Sequence, residues 1–111
     1  PFDQAAYGSI GIETLLTSLI TLHQSEQLDL LNLLATVTQH PAEILGLNTG
    51  TLQAGRPADL ALVDLGLPWV IDADRLTSKS KNAALDGRRV QGAVIASYIG
   101  GKCIFARDNI E

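Results

Sequence analysis

The spacing of apolar residues changes once along this chain, near residue 48, and that change limits the folds open to it. Before it, Ile12, Leu15, Leu16, Leu19 and Ile20 fall at i, i+3, i+4, i+7 and i+8, a single stripe at helical period. Glu13 sits in the opening turn, where a carboxylate is favoured by the helix dipole. A second helix is predicted with Asp29 as N-cap and Leu30, Leu33, Leu34 and Val37 as its stripe. His40-Pro41 breaks the pattern, because a residue before proline is pushed away from the helical region. Pro41 suits the first position of a short third helix and Gly46 its C-terminal cap.

After residue 48 the apolar residues come in short runs between turns. Leu60-Ala61-Leu62-Val63 reads as a buried strand, and Trp69-Val70-Ile71, bounded by Pro68 and Asp72, as a second short one. Residues 77–92 are polar and turn-rich, a long loop. Ala93–Ile99, Gly100-Gly101 and Lys102–Ala106 read as a hairpin, since a Gly-Gly pair between apolar runs is a two-residue turn signal. Residues 1–11 lack periodicity and read as a loop. The expected organisation is therefore helical over 1–47 and β over 48–111, with no internal repeat.

Composition removes several function classes. At 111 residues and 46% hydrophobic, the chain is long enough for a real core and is neither a disordered tail nor a disulfide-stapled miniprotein. A lone cysteine forms no internal disulfide or multi-cysteine zinc site, and points to a reducing, cytoplasmic setting. The net charge of −4 lacks the basic footprint of a nucleic-acid binder, and no apolar run approaches the ~20 residues of a membrane span. There is no methionine and the chain begins at Pro1, so it reads as part of a longer protein.

Few residues offer chemistry. His23 continues the stripe of the first helix, where a structural role is the expectation, and His40 stands at a helix start facing water or capping. Two histidines 17 positions apart do not make the set of about three ligands that a catalytic zinc takes. Cys103, between Lys102 and Ile104 in a predicted strand, reads as a small buried hydrophobe. Arg75, Lys79, Lys81, Arg88 and Arg89 gather in one region, which reads as a solvated loop tied down by ion pairs. No Gly-rich phosphate cradle occurs. The residues alone describe a chain without a self-contained active site.

Whole segments nevertheless resemble the C-terminal quarter of the dihydroorotases, a cyclic amidohydrolase branch of the amidohydrolase superfamily. PFDQAAYGSIGIETLL at the start is similar to that family's segment after the last barrel strand, with its aromatic-Gly and G-[LIF]-E-T pattern. HPAEILGL at 40–47 is similar to its Asn-Pro-Ala helix, and GTLQAGRPADLALVDL at 50–65 to the strand entry found across the superfamily. SKSKNAALDGRRVQGAVIASYIGGK at 78–102 is similar to the closing segment. The A-D-L and GGK pieces are shared with hydantoinases and allantoinases; AYGSIGIETLL together with SKSKN…GRRVQG points to dihydroorotase. Two departures touch packing and subfamily: His40 stands where the family commonly has Asn, and Ala83-Ala84 where it often has Pro-Phe.

The resemblance implies an α/β fold, a (β/α)₈ barrel hydrolase with a small composite β-sandwich. This chain would supply the substrate loop and last barrel helices (1–47) and the C-terminal sandwich strands (48–111). It implies zinc-dependent interconversion of N-carbamoyl-L-aspartate and dihydroorotate in pyrimidine synthesis. The zinc ligands and catalytic aspartate would lie upstream of Pro1, so no catalytic or metal residue is carried onto this chain. One site element transfers: the aromatic-Gly pair matches Tyr7-Gly8, expected to contact the pyrimidine ring through the main chain, with glycine permitting close approach. Implied partners are the remainder of the barrel, the small-molecule substrate, further copies in a homo-oligomer, and a carbamoyltransferase. A related hydantoinase or allantoinase, or a non-catalytic dihydroorotase-like assembly subunit, remain as alternatives.

Overall fold

Residues 2–5 and 7–107 are described by a computed structural model of the chain; Pro1, Ala6 and 108–111 lie outside the described residues. The first region is helical. A 3₁₀ turn at Phe2–Gln4 falls within the expected loop, and a second 3₁₀ turn at Ile12–Thr14 leads into helix α1, Leu15–Glu26. The side chains that α1 buries differ from the expected stripe. Of that stripe Ile20 is fully buried and Leu16 and Leu19 are half-buried, but Ile12 is 89% exposed and Leu15 half exposed, while Thr14 and Thr17, outside the stripe, are buried. The reason lies opposite: α1 packs on a strand that presents Gly92, Ala93 and Ala96, and small partners admit a close approach that bulky leucines would hold apart.

Helix α2, Leu30–Ala35, begins as the sequence predicts. The Asp29 carboxylate accepts a hydrogen bond from the Asn32 N–H at 3.1 Å, satisfying a donor that has no acceptor inside the helix. Helix α3 spans Gln39–Leu45, so Pro41 is its third residue rather than its first, and His40 is helical. Proline is tolerated there because the first-turn N–H groups lack intrahelical acceptors in any case. Gly46 closes α3 as expected: its N–H bonds the Glu43 carbonyl at 3.2 Å and the Leu47 N–H that of Ala42 at 2.9 Å, the paired bonds of a Schellman end.

The second region is a three-stranded antiparallel sheet in the order β1-β2-β3, comprising β1 (Leu60–Val70), β2 (Arg89–Ile99) and β3 (Lys102–Ala106). The two short strands expected at 60–63 and 69–71 are one strand. Its ladder is interrupted between Asp64 and Pro68, where the chain bulges and then resumes with Pro68 opposite Gln91. A bulge is where a strand accommodates a proline, which cannot donate to the ladder. The loop expected over 77–92 is correspondingly shorter, because Arg89 and Val90 pair with Val70 and Trp69. The hairpin forms as read from the sequence: Ile99 pairs with Lys102, and both turn glycines have positive φ (56° and 80°), as a type I′ turn requires.

Burial is thin. Ile20 and Ile71 are the largest fully buried side chains among the described residues, and every residue of β3 is exposed. Leu31, Ile44 and Leu52 expose 75, 84 and 85% of their surface. The radius of gyration, 15.8 Å, exceeds the roughly 13 Å of a compact domain of about 100 residues. Among the described residues no helix is long and apolar enough to cross a membrane. The architecture is thus a helical layer docked by one helix onto the central strand of an open sheet.

Candidate functional site

Tyr7 and Gly8, the pair singled out from the sequence, stand on the segment that enters α1. Tyr7 is fully exposed and touches no core. Gly8 has φ +112°, a conformation open to glycine and rarely to other residues, while a Cβ built on it would meet nothing within 4 Å. Within this chain the glycine is therefore required by its backbone angle and not by crowding.

The pair is held from an unexpected direction. The Asn82 side-chain amide donates to the Gly8 carbonyl. The Asn82 carbonyl accepts from the Ile10 N–H at 2.9 Å and from the Ser9 hydroxyl at 3.0 Å. That hydroxyl also accepts from the Ala84 N–H at 2.8 Å, and Ile10 and Ala83 form an isolated parallel bridge. One turn further on, the Glu13 carboxylate accepts from the Thr77 N–H at 2.9 Å and from its hydroxyl at 3.3 Å. Residues 77–84, expected to be a solvated loop tied down by ion pairs, are thus hydrogen-bonded along the segment that carries Tyr7 and Gly8.

The loop has its own footing. The Lys81 ammonium donates to the Leu76 carbonyl at 2.7 Å, and the Gly87 N–H to that of buried Ile71 at 2.7 Å. The Asp86 carboxylate accepts from the Ala73 N–H at 2.9 Å. The last two bonds tie the loop to the chain just after β1, at Ile71 and Ala73, so segment 8–13 is connected to the sheet through it.

The remaining candidates are not brought together. His23 Nδ1 lies 2.6 Å from the Leu28 carbonyl, holding the turn between α1 and α2, a structural position. His40 is exposed on α3. Cys103 is exposed, contrary to expectation, because it lies on β3, an edge strand left uncovered by the other described residues; its thiol bonds the Phe105 carbonyl at 3.4 Å. No group of three or more His, Cys, Asp or Glu side chains that could hold a metal occurs among the described residues. An open cleft of about 870 Å³ lies between α1 and the sheet, with Leu16, Trp69, Val94, Phe105 and Arg107 on its walls. The Arg107 guanidinium sits 5.2 Å from the Trp69 ring centre and its Nε–H donates to the Val94 carbonyl at 3.3 Å. Tyr7 and Gly8 do not line this cleft.

A fold of this kind has relatives. The amidohydrolase family profile matches residues 2–104, and the chain belongs to that family. It is 42% identical over 107 residues to a protein named dihydroorotase from Wolbachia sp. subsp. Drosophila simulans, covering 96% of this chain and 24% of that one. A dihydroorotase from Geotalea daltonii is 40% identical, over 96% of this chain and 25% of its own length. Among solved structures, an L-hydantoinase (dihydropyrimidinase) from Arthrobacter aurescens superposes with a TM-score of 0.84 at 31% identity, over 93% of this chain and 24% of that one. The chain therefore spans about a quarter of the length of the relatives it matches.

Glu13, Ser9, Thr77 and Asn82, which hold the segment carrying Tyr7 and Gly8, carry no signal of that contact in their local sequence. Glu13 was legible as a helix-start carboxylate, but its distant partner was not. Asn82 and Glu13 both stand within the dihydroorotase-like segments, GIET and SKSKN, and that shared membership was the available signal.

Proposed function

We propose that this chain is the C-terminal portion of a dihydroorotase, which reversibly closes N-carbamoyl-L-aspartate to dihydroorotate. In the forward direction the ureido nitrogen attacks the side-chain carboxyl carbon, a C–N bond forms and water leaves; hydrolysis runs back the same way. The observation that carries the reading is the 36–42% identity to proteins named dihydroorotase along almost the whole chain. It includes the segment that presents Tyr7 and Gly8. Their role is to meet the pyrimidine ring through the main chain, with glycine at position 8 allowing the positive φ found there.

No group of three or more His, Cys, Asp or Glu side chains that could hold a metal occurs among the described residues, and on this reading the zinc ligands belong to the part of the enzyme outside this chain. Bound there, it would polarise the reacting carbonyl and lower the pKa of water. This chain's part is to shape the substrate loop and anchor it. A second reading, a hydantoinase-type cyclic amidohydrolase, is favoured by the L-hydantoinase superposition at 31% identity.

The test uses the full-length protein that carries this chain, with intact mass and zinc content measured alongside turnover. Dihydroorotate hydrolysis, well above that of hydantoin or allantoin, is the expected result. Preference for hydantoin would transfer the assignment to the second reading, and no turnover of any of these by zinc-loaded protein would sink both.

A further inference from the structure

Asn82 lies 74 positions after Gly8, yet it holds the backbone on either side of Ser9. Its side-chain amide takes the Gly8 carbonyl, while its main-chain carbonyl takes the Ile10 N–H and the Ser9 hydroxyl. Consecutive peptide planes are thereby fixed by a single residue. This matters most at Gly8, whose φ of +112° is one of many that a glycine can adopt in an unrestrained loop. No side chain of this segment is available to set that angle by packing, since Tyr7, Gly8 and Ser9 are all exposed. Hydrogen bonds from outside the segment have to do it.

We infer that Asn82 is a positioning residue for the substrate: it sets the Gly8 peptide so that the Tyr7-Gly8 main chain meets the ring of a dihydroorotate-type cyclic amide. The inference rests on the proposed contact of Tyr7-Gly8 with that ring. The Glu13–Thr77 bonds brace the same pair of segments one turn away, so losing the Asn82 side chain loosens the loop without releasing it. The main-chain bonds of Asn82 likewise survive a change of its side chain. A substitution here therefore acts on loop geometry and spares the fold.

The experiment compares Asn82→Asp, Asn82→Ala and Gly8→Ala with the parent sequence in full-length zinc-loaded protein. Asn82→Asp keeps the shape and removes the donor; Asn82→Ala removes the donor without adding charge. Steady-state kinetics with dihydroorotate, melting temperature and hydrogen exchange over residues 7–11 are measured. Both Asn82 variants are expected to raise KM about three- to tenfold, the range of one lost hydrogen bond, with kcat within about twofold. Exchange over 7–11 should rise while melting temperature holds. If Gly8→Ala raises KM and the Asn82 variants do not, Asn82 has no positioning role and the substrate-contact reading stands. If none of the three moves KM, the contact reading fails and the inference with it. Unchanged exchange over 7–11 in both Asn82 variants would overturn the inference even in a protein that did not turn over dihydroorotate.

Discussion

Two joints between distant segments are built from opposite materials. Where α1 meets β2 the contact is closed by burial: Ile20 is fully buried against Gly92, whose φ is +96°. A Cβ at Gly92 would stand 2.6 Å from the Ile20 Cδ1. The Gly92 carbonyl also accepts from the Thr17 hydroxyl at 2.9 Å and from the Trp69 indole at 3.0 Å. Where segment 8–13 meets residues 77–84, the contact is made almost wholly of hydrogen bonds on exposed groups. The first joint resists because parting it exposes apolar surface and strands polar groups; the second resists because several modest bonds act together. A frame is suited to the first construction and an exposed loop to the second, which holds position at little cost in core volume.

That contrast can be broken at its strongest point first. Ile20→Ala in the full-length protein should cost about 4 kcal/mol, since it empties a fully buried site, and chemical denaturation reads the loss directly. A cost under about 1 kcal/mol would mean that the helix–sheet joint is not closed by packing. Gly92→Ala should cost on the order of 3 kcal/mol, from overpacking against Ile20 together with left-handed backbone strain. The double variant with Ile20→Ala relieves the overpacking, so the two effects should sum to less than their separate costs; strict additivity would show that backbone strain alone acts at Gly92.

Ser9→Ala sharpens the other side of the comparison. It removes bonds to Asn82 and Ala84 from an exposed position, so its stability cost should stay below about 1 kcal/mol. Hydrogen exchange over residues 7–11 should nevertheless accelerate. A large loss of global stability with unchanged local exchange would show that this joint belongs to the frame after all.

Much of the layout follows from neighbouring residues. The Asp29 cap, the Gly46 helix end and the Gly100-Gly101 turn each depend on residues within a few positions of one another, and each stands where the sequence places it. The shift from helices to strands near residue 48 is equally local in origin, because it reflects side-chain period. Where expectation and structure part, a distant neighbour decides. Ile12 and Leu15 fit a helical stripe, but which face of α1 is buried depends on how close β2 allows it to come. Cys103 has the character of a core residue, and exposure follows from β3 lying at a sheet edge. Pro68 reads as a strand boundary, and instead resumes the ladder opposite Gln91 after a bulge, because β2 is long enough to pair past it.

The candidate site divides the same way. Tyr7-Gly8 was legible as a motif, and the residue types of GIET and SKSKN were visible on either side of the helix-to-strand change. That these segments touch was not, since nothing in the spacing of Gly8 and Asn82 implies a bond across 74 positions. By itself the sequence determined the elements, their caps and turns, and the resemblance to a family, all of which depend on short-range geometry or residue identity. Only the tertiary structure decided which faces are covered and which loop holds which, because burial and long-range hydrogen bonds exist only once the chain has brought its distant parts together.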